Sequence, residues 1–310
     1  MMSNDLQAEA DYMCCASCGI TKAEFEYELV PCWVCNFYLV RYCSEKCHED
    51  HWPQHEALCK ERVLRNEILF RQPESTHLGD CPICLLPMST GLGKTMIQSC
   101  CSKTICRGCS HAHYLHQRQQ RQTRVCPFCR HTIPKSKEEV DKNNLKRIEA
   151  NDPVALREIG KERYHEGNYE ESFEYLEKAV ELGDIAAQYY LGHMYQKGEG
   201  VEKDEKKGLY YLEEAAIGGH PEARYSVGVN EWKNDLIERS MKHYIIGANL
   251  GHDNSIKVLK ECYKWRDVTK ADFAGALRGH QAAVDARKSP QREAAAMFQA
   301  TQAEECYKWR

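Results

Sequence analysis

The chain has 310 residues, 42% hydrophobic and 28% charged, with a formal net charge of -4, which is the composition of a globular protein of two or three domains and not of a disordered one. No apolar run approaches the ~18 residues needed to cross a bilayer, so a transmembrane helix is excluded. The acidic, polar start MMSNDLQAEAD lacks the basic and apolar regions of a secretory signal, which points to a cytoplasmic or nuclear setting with reduced thiols. Sixteen of the 18 cysteines precede residue 130, and in such a setting that density argues for metal and against disulfides. Charge is also uneven: residues 1–60 hold ten acids and four bases, whereas between Asp80 and Glu138 nine Lys and Arg face no acid at all.

From the N-terminus, after a tail over residues 1–13, the ligand-type residues come in pairs: Cys15-x2-Cys18, Cys32-x2-Cys35, Cys43-x3-Cys47 and His55-x3-Cys59. A C-x-x-C knuckle turns two thiolates to one side, and His-x3-Cys does so from one helical face, so each pair supplies half of a tetrahedral zinc site. Four pairs imply two structural zincs, each contributing on the order of 10–16 kcal/mol to the folding of a segment too short to bury a core. Cys14 and His51 are near neighbours of Cys15 and His55, and the regular spacings favour the latter. The apolar residues Val63, Leu64, Ile68, Leu69 and Phe70 continue a helix to about Gln72, where Pro73 opens a linker over residues 73–80.

The order of spacings, with RYCSEKC and HWPQHEALC, resembles the MYND zinc finger over residues 14–72. The resemblance implies interleaved ligation, with Cys15, Cys18, Cys43 and Cys47 at one zinc and Cys32, Cys35, His55 and Cys59 at the other. It also implies a proline-rich peptide as partner, with Trp52 either walling the groove or packing over the zinc helix. Nothing in the chain resembles the SET methyltransferase segments found beside some MYND fingers.

A second set follows: Cys81-x2-Cys84, Cys100-Cys101, Cys106-x2-Cys109 and Cys126-x2-Cys129. Residues 81–134 resemble an all-cysteine RING finger. The usual C-x-H-x2-C-x2-C centre aligns with Lys103 in the histidine position, so Cys100 must compensate unless His111 or His113 does. The resemblance implies cross-brace pairing, Cys81, Cys84, Cys106 and Cys109 at one zinc and Cys100, Cys101, Cys126 and Cys129 at the other, for four Zn2+ in all. It further implies a ubiquitin-conjugating enzyme as partner, with Ile83 and Pro127 as apolar contacts and Arg130 as the linchpin that bridges enzyme and ubiquitin. His113, Tyr114 and Leu115 stand where the family often has a bulky apolar residue. Arg118, Arg121 and Arg124 are three apart and, on a helix, would form one basic flank; this fits nucleic-acid phosphate or simple neutralisation of thiolates, and nucleic acid is the weaker reading.

Residues 135–153 read as a solvated connecting helix ending in the cap Asn151-Asp152-Pro153. Beyond it the sequence repeats over residues 154–254: Ala155, Ala187 and Ala223, then Gly160, Gly192 and Gly228, step by 32 and 36, and Gly183, Gly219 and Gly251 by 36 and 32, the signature of a four-residue insertion in the middle copy. Small residues at such a period mean stacked helix pairs. The middle copy, with LG-x2-Y-x2-G-x-GV-x2-D, resembles the Sel-one-like repeat, which implies scaffold work on an unknown protein partner. Residues 255–288 supply a degenerate capping pair, and residues 289–310, which end in a second ECYKWR, read as a helical, loosely held tail. The expectation is thus a multidomain chain: two small zinc-stapled α+β modules followed by an all-α helical-repeat solenoid, acting as a ubiquitin ligase, as a non-catalytic scaffold or, third, as a nucleic-acid binder.

Overall fold

The computed structural model describes residues 14–20, 29–37, 39–91 and 93–307, the last six by backbone alone; the expected tail over residues 1–13 lies outside them. In the first module β1 (Val30–Pro31) pairs antiparallel with β2 (Arg41–Tyr42), and α1 (Glu45–Leu69) follows. Ser44 starts α1 as its N-cap, accepting the Cys47 amide, so one of the four orphan donors of the first turn is satisfied. The second module is a hairpin of β3 (Thr95–Gln98) and β4 (Lys103–Cys106) running into α2 (Arg107–Gln119). Next comes α3 (Lys137–Glu149), capped by Ser136 and with no fully buried residue, its Ile148 packing against the core around Leu156 and Leu176.

Eight helices then stack as four antiparallel pairs: α4 (Pro153–His165) with α5 (Tyr169–Glu181), α6 (Ile185–Lys197) with α7 (Glu205–Ile217), α8 (Pro221–Lys233) with α9 (Ile237–Asn249), and α10 (Asp253–Trp265) with α11 (Lys270–Asp285). The periodic residues explain the stacking. A Cβ at Gly160, Gly192 or Gly228 would sit 2.7–2.8 Å from Leu176, Leu212 or Tyr244 of the partner helix, so glycine sets how closely the two helices approach. Ser172 and Ser240 fill the matching position in α5 and α9 and donate to the Gly160 and Gly228 carbonyls at 2.7 Å. Each first helix carries a side-chain N-cap at the same point, Asp152, Asp184, His220 and His252. The predicted insertion is the α6–α7 loop, residues 198–204, against the three-residue turn 166–168.

Neither zinc module hangs free of the repeats. Phe37 and Leu39 of the first module share a core with Leu209, Leu212, Ala215 and Val227. From α1, Arg62 bonds both oxygens of the buried Glu213, Arg65 donates to Glu213 at 2.7 Å and Glu214 at 2.8 Å, and Arg239 reaches back to Asn66 at 3.1 Å. The fully buried Arg224 donates to the carbonyl of Leu69, placing a cation at an α1 C-terminus that has no basic residue of its own. A repeat face that sequence leaves open for a partner is therefore covered in cis by α1.

Two expectations change here. Segment 73–80 is no free tether: Thr76 is buried, the His77 amide donates to Gly219 O at 3.0 Å, and the His77 ring stacks on His220 at 4.2 Å, which in turn stacks on Tyr189. The tail expected over residues 289–310, of which 308–310 lie outside the described residues, is not loose: α12 (Pro290–Tyr307) packs on α2. Both segments gain order from aromatic and glycine contacts with distant residues, which no local pattern displays.

Removing the negative charge in Glu213→Gln leaves the buried Arg62 without a counter-charge and Arg65 with Glu214 alone, and breaking a buried pair in this way costs about 3–5 kcal/mol. The expected outcome is a separate, earlier unfolding step for the first module in calorimetry and new protease cleavage near residues 70–80; a single transition with unchanged midpoint contradicts it. A second prediction concerns pH. Burial, then the Arg157 charge, lowers the His77 pKa from 6.5 to about 4. Since the folded value lies below the unfolded one, the unfolded chain takes the proton first: the contribution is complete above pH ~6.5 and is lost as pH falls toward 4, by at most about 3 kcal/mol. Urea unfolding of wild type against His77→Phe between pH 7 and 5 should show a shallower pH slope in the variant.

Candidate metal centres

Four knuckles are built alike. In each, the residue after the second cysteine is left-handed, Gly19 (φ 74°), Asn36 (50°), Leu85 (55°) and Arg130 (58°), and its amide returns to the carbonyl of the first cysteine, at 2.9, 2.7, 2.8 and 3.1 Å. This closes a tight turn with both sulfurs on one side. The fifth C-x-x-C is different: Cys106 is the N-cap of α2, its sulfur accepting the Cys109 amide at 3.4 Å, so the helix start itself aims that pair.

The pairs converge as four quartets, each with its ligand atoms within 4.8 Å of one another: Cys15, Cys18, Cys43, Cys47; Cys32, Cys35, His55, Cys59; Cys81, Cys84, Cys106, Cys109; and Cys100, Cys101, Cys126, Cys129. Sulfurs 2.3 Å from a tetrahedral zinc lie about 3.8 Å apart, and a sulfur and an imidazole nitrogen about 3.6 Å. Observed edges include Cys18–Cys43 at 3.6, Cys32–Cys59 at 3.9, Cys84–Cys106 at 3.8, Cys101–Cys126 at 3.7 and Cys35 Sγ–His55 Nε2 at 3.6 Å. These are tetrahedron edges, far beyond the ~2.05 Å of a disulfide.

The electrostatics ask for a cation. Burial, then the Cys32 and Cys59 charges, pushes the Cys35 thiol up to about 12, so without a cation that ligand stays protonated. Burial also raises Cys15 and Cys81, but backbone amides outweigh it, those of their own knuckles together with Cys43 for Cys15 and Cys106 for Cys81, and bring these thiols down to about 6 and about 7. Burial keeps His55 neutral by lowering its pKa, as a ligating imidazole requires. Three quartets offer four thiolates each and the other offers three thiolates and an imidazole; such donor sets, saturated by protein, are those of structural zinc. The chain binds Zn2+.

The adjacent cysteines both join their quartet. They sit in the β3–β4 turn, where Ser102 is left-handed (φ 56°) and the Cys101 and Ser102 amides both return to Gln98 O, so one turn presents both sulfurs. Cys14, His51, His111 and His113 are in none of the four quartets: His51 Nδ1 meets the Tyr42 hydroxyl at 2.9 Å, His111 rests on Phe298, and His113 meets Val125 O at 3.0 Å.

Around the centres stand residues the spacing rules did not pick out. His48 is buried with Nε2 3.3 Å from Cys32 Sγ, and Arg292 of α12 places Nη2 3.4 Å from Cys84 Sγ. Both lie outside any ligand spacing, though the adjacency of His48 to Cys47 was a usable hint. Trp52 is half-buried among Cys35, Cys59 and Tyr42, its ring near His48 and His55. The aromatic more open to solvent is Trp33, 48% exposed and lying on His48 at 3.8 Å. Ile83 and Leu85 project from the third knuckle, 44% and 73% exposed, Pro127 is half-buried and Arg130 exposed. The expected arginine flank does not form: α2 ends at Gln119, Arg121 turns left-handed, and Arg124 lies over the Tyr114 ring at 4.8 Å.

Comparison with known proteins agrees with this division. Residues 15–59 match the MYND finger family, and residues 153–184 and 185–220 each match the Sel1 repeat. No curated protein sequence matches the chain. Among solved structures it is similar to a Sel1 repeat protein from Oxalobacter formigenes, at 22% identity over 56% of this chain and 68% of that one with a TM-score of 0.42. It is also similar to c5321, a protective antigen of uropathogenic Escherichia coli displaying an SLR fold, at 21% identity over 54% of this chain and 37% of that one with a TM-score of 0.39. The chain joins small zinc-binding modules to a helical-repeat array, and its MYND finger and Sel1 repeats are protein-interaction domains. No helix among the described residues is long and apolar enough to cross a membrane.

Native mass spectrometry should find four zincs per chain. Cys100→Ser and Cys18→Ser should each lose one, and Cys14→Ser none; retention of four in Cys100→Ser would remove Cys100 from the ligand set.

Proposed function

We propose that residues 81–134 form a RING-type module that recruits a ubiquitin-conjugating enzyme, while the MYND finger and the repeats hold the protein to be modified. The observation that carries this reading is the interleaving of the second cysteine set, first pair with third and second with fourth, around a hairpin and one helix. With its ligands saturated, the metal performs no hydrolysis. Rate enhancement would come from orienting the thioester-linked ubiquitin toward the acceptor amine. Ile83 and Leu85, exposed on the third knuckle, suit an apolar docking platform, and Arg130, directly after the last ligand, suits a guanidinium that bridges two partners. On the MYND finger, Trp52 and the more exposed Trp33 suit the stacking of a proline-rich segment.

A second reading, a docking scaffold without transfer, is favoured by one observation. His113 is tied to Val125 O and Tyr114 lies under Arg124, leaving Leu115 as the exposed apolar residue of α2 in this stretch. Nucleic-acid binding loses support because the three arginines do not share a helical flank.

Reconstitution with activating enzyme and a panel of conjugating enzymes separates the two. The ligase reading expects self-ubiquitination by wild type, reduced about tenfold or more in Ile83→Ala and Arg130→Ala proteins that keep four zincs. Absence of chains with every conjugating enzyme, with retained capture of proline-rich peptides, assigns the scaffold role instead.

A further inference from the structure

Arg292 lies 208 residues after Cys84 in sequence yet meets its sulfur. One guanidinium gathers four acceptors: Nη2 donates to Cys84 Sγ at 3.4 Å and Leu86 O at 3.0 Å, and Nη1 donates to Pro87 O at 2.7 Å and to Arg287 O of its own segment at 3.0 Å. The first three belong to the third knuckle and the loop leaving it. We infer that Arg292 is an outer partner of the zinc centre formed by Cys81, Cys84, Cys106 and Cys109, and that α12 is the clamp that holds it there and slows loss of that zinc.

Three features support the assignment. A zinc ion with four thiolates is a dianion, so a half-buried guanidinium beside one sulfur offsets charge that the surrounding protein would otherwise have to solvate. The approach is also fixed by shape. A Cβ at Gly108, within the Cys106-x2-Cys109 pair of the same centre, would fall 2.7 Å from the Arg292 backbone nitrogen, so the α2 and α12 backbones touch where the ligands are carried. Farther along, Phe298 rests on His111 with ring centroids 4.7 Å apart, a second point of contact that sets the angle of α12. Its other end is anchored too: Arg287, just before α12, donates to the carbonyls of Leu250 and Gly251 at the end of α9.

The chemical consequence follows from how zinc leaves thiolates. Departure requires a sulfur to take up a proton, an oxidant or a competing electrophile, and a donor hydrogen bond with adjacent positive charge lowers the electron density available for that step. Outer partners of this kind typically change metal affinity 10–100-fold. The inference does not depend on the ligase reading, since it concerns metal retention alone.

Its test uses the full zinc-loaded chain. Zinc transfer to a chromogenic chelator is followed for wild type, Arg292→Ala, Arg292→Lys and Phe298→Ala, and cadmium-substituted samples of the same proteins are examined by cadmium NMR. The expected result is that Arg292→Ala releases one of four zincs about tenfold faster and moves one all-sulfur cadmium resonance, with the other three metals as internal controls. Arg292→Lys, which keeps the charge, should recover part of the loss, and Phe298→Ala should speed release less while α12 still carries the guanidinium. Unchanged release of all four zincs in Arg292→Ala overturns the inference. So does faster release with every cadmium resonance unmoved, because that outcome reduces Arg292 to helix packing.

Discussion

The structure of the first 130 residues rests on thiolates that cannot ionise together without a cation. Each quartet gathers four ligands within 4.8 Å, and burial with mutual repulsion drives thiols such as Cys35 toward the protonated form. Zinc reverses that balance, and interleaving makes each ion hold two separate stretches of chain. In the first module the hairpin strands are only two residues long, too short to be stable unaided. The same logic governs the second module, where a four-residue hairpin and one helix receive fixed positions from two ions. Secondary structure here follows from ligation instead of preceding it.

The repeats are built on the opposite principle, many weak contacts repeated at a fixed period, and the two principles meet in a seam of unusual polarity. Where α1 lands on α7, α8 and α9, Glu213 serves two arginines at once and Arg224 serves the end of a helix. Buried ionic contacts of this kind add little net stability over an apolar seam, but they fix register, since a misplaced helix strands several charges. Phe37 and Leu39 supply the apolar share of the same seam. The MYND finger is thereby held at one orientation to the repeats.

Much of this was legible in sequence, for reasons of spacing. All sixteen ligands follow from pair spacings plus a family resemblance, and the repeat period survives an insertion because Gly160, Gly192 and Gly228 each face a partner side chain that tolerates no Cβ. What sequence did not display are contacts between residues far apart in the chain. Arg62 and Glu213, His77 and His220, and Arg292 and Cys84 are each separated by well over a hundred positions, and, Cys84 apart, each looks like an ordinary polar residue in its own segment. Segments 73–80 and 289–310 were read as linker and tail for that reason. The arginine run failed differently, since the three-residue spacing was projected onto a helix that stops at Gln119.

The two zinc modules are attached at different places on one array, the first through α1 against α7–α9 and the second through α12, whose preceding residues hold the end of α9. In a helical array of this kind each pair is held against its neighbours, and both modules are anchored to the same part of it, around α9. The part of segment 73–80 that would otherwise permit swivelling is pinned by the His77–His220 stack. Rigidity of that sort favours a reaction or an assembly that needs one geometry, because little orientational freedom remains to be lost when the second partner arrives.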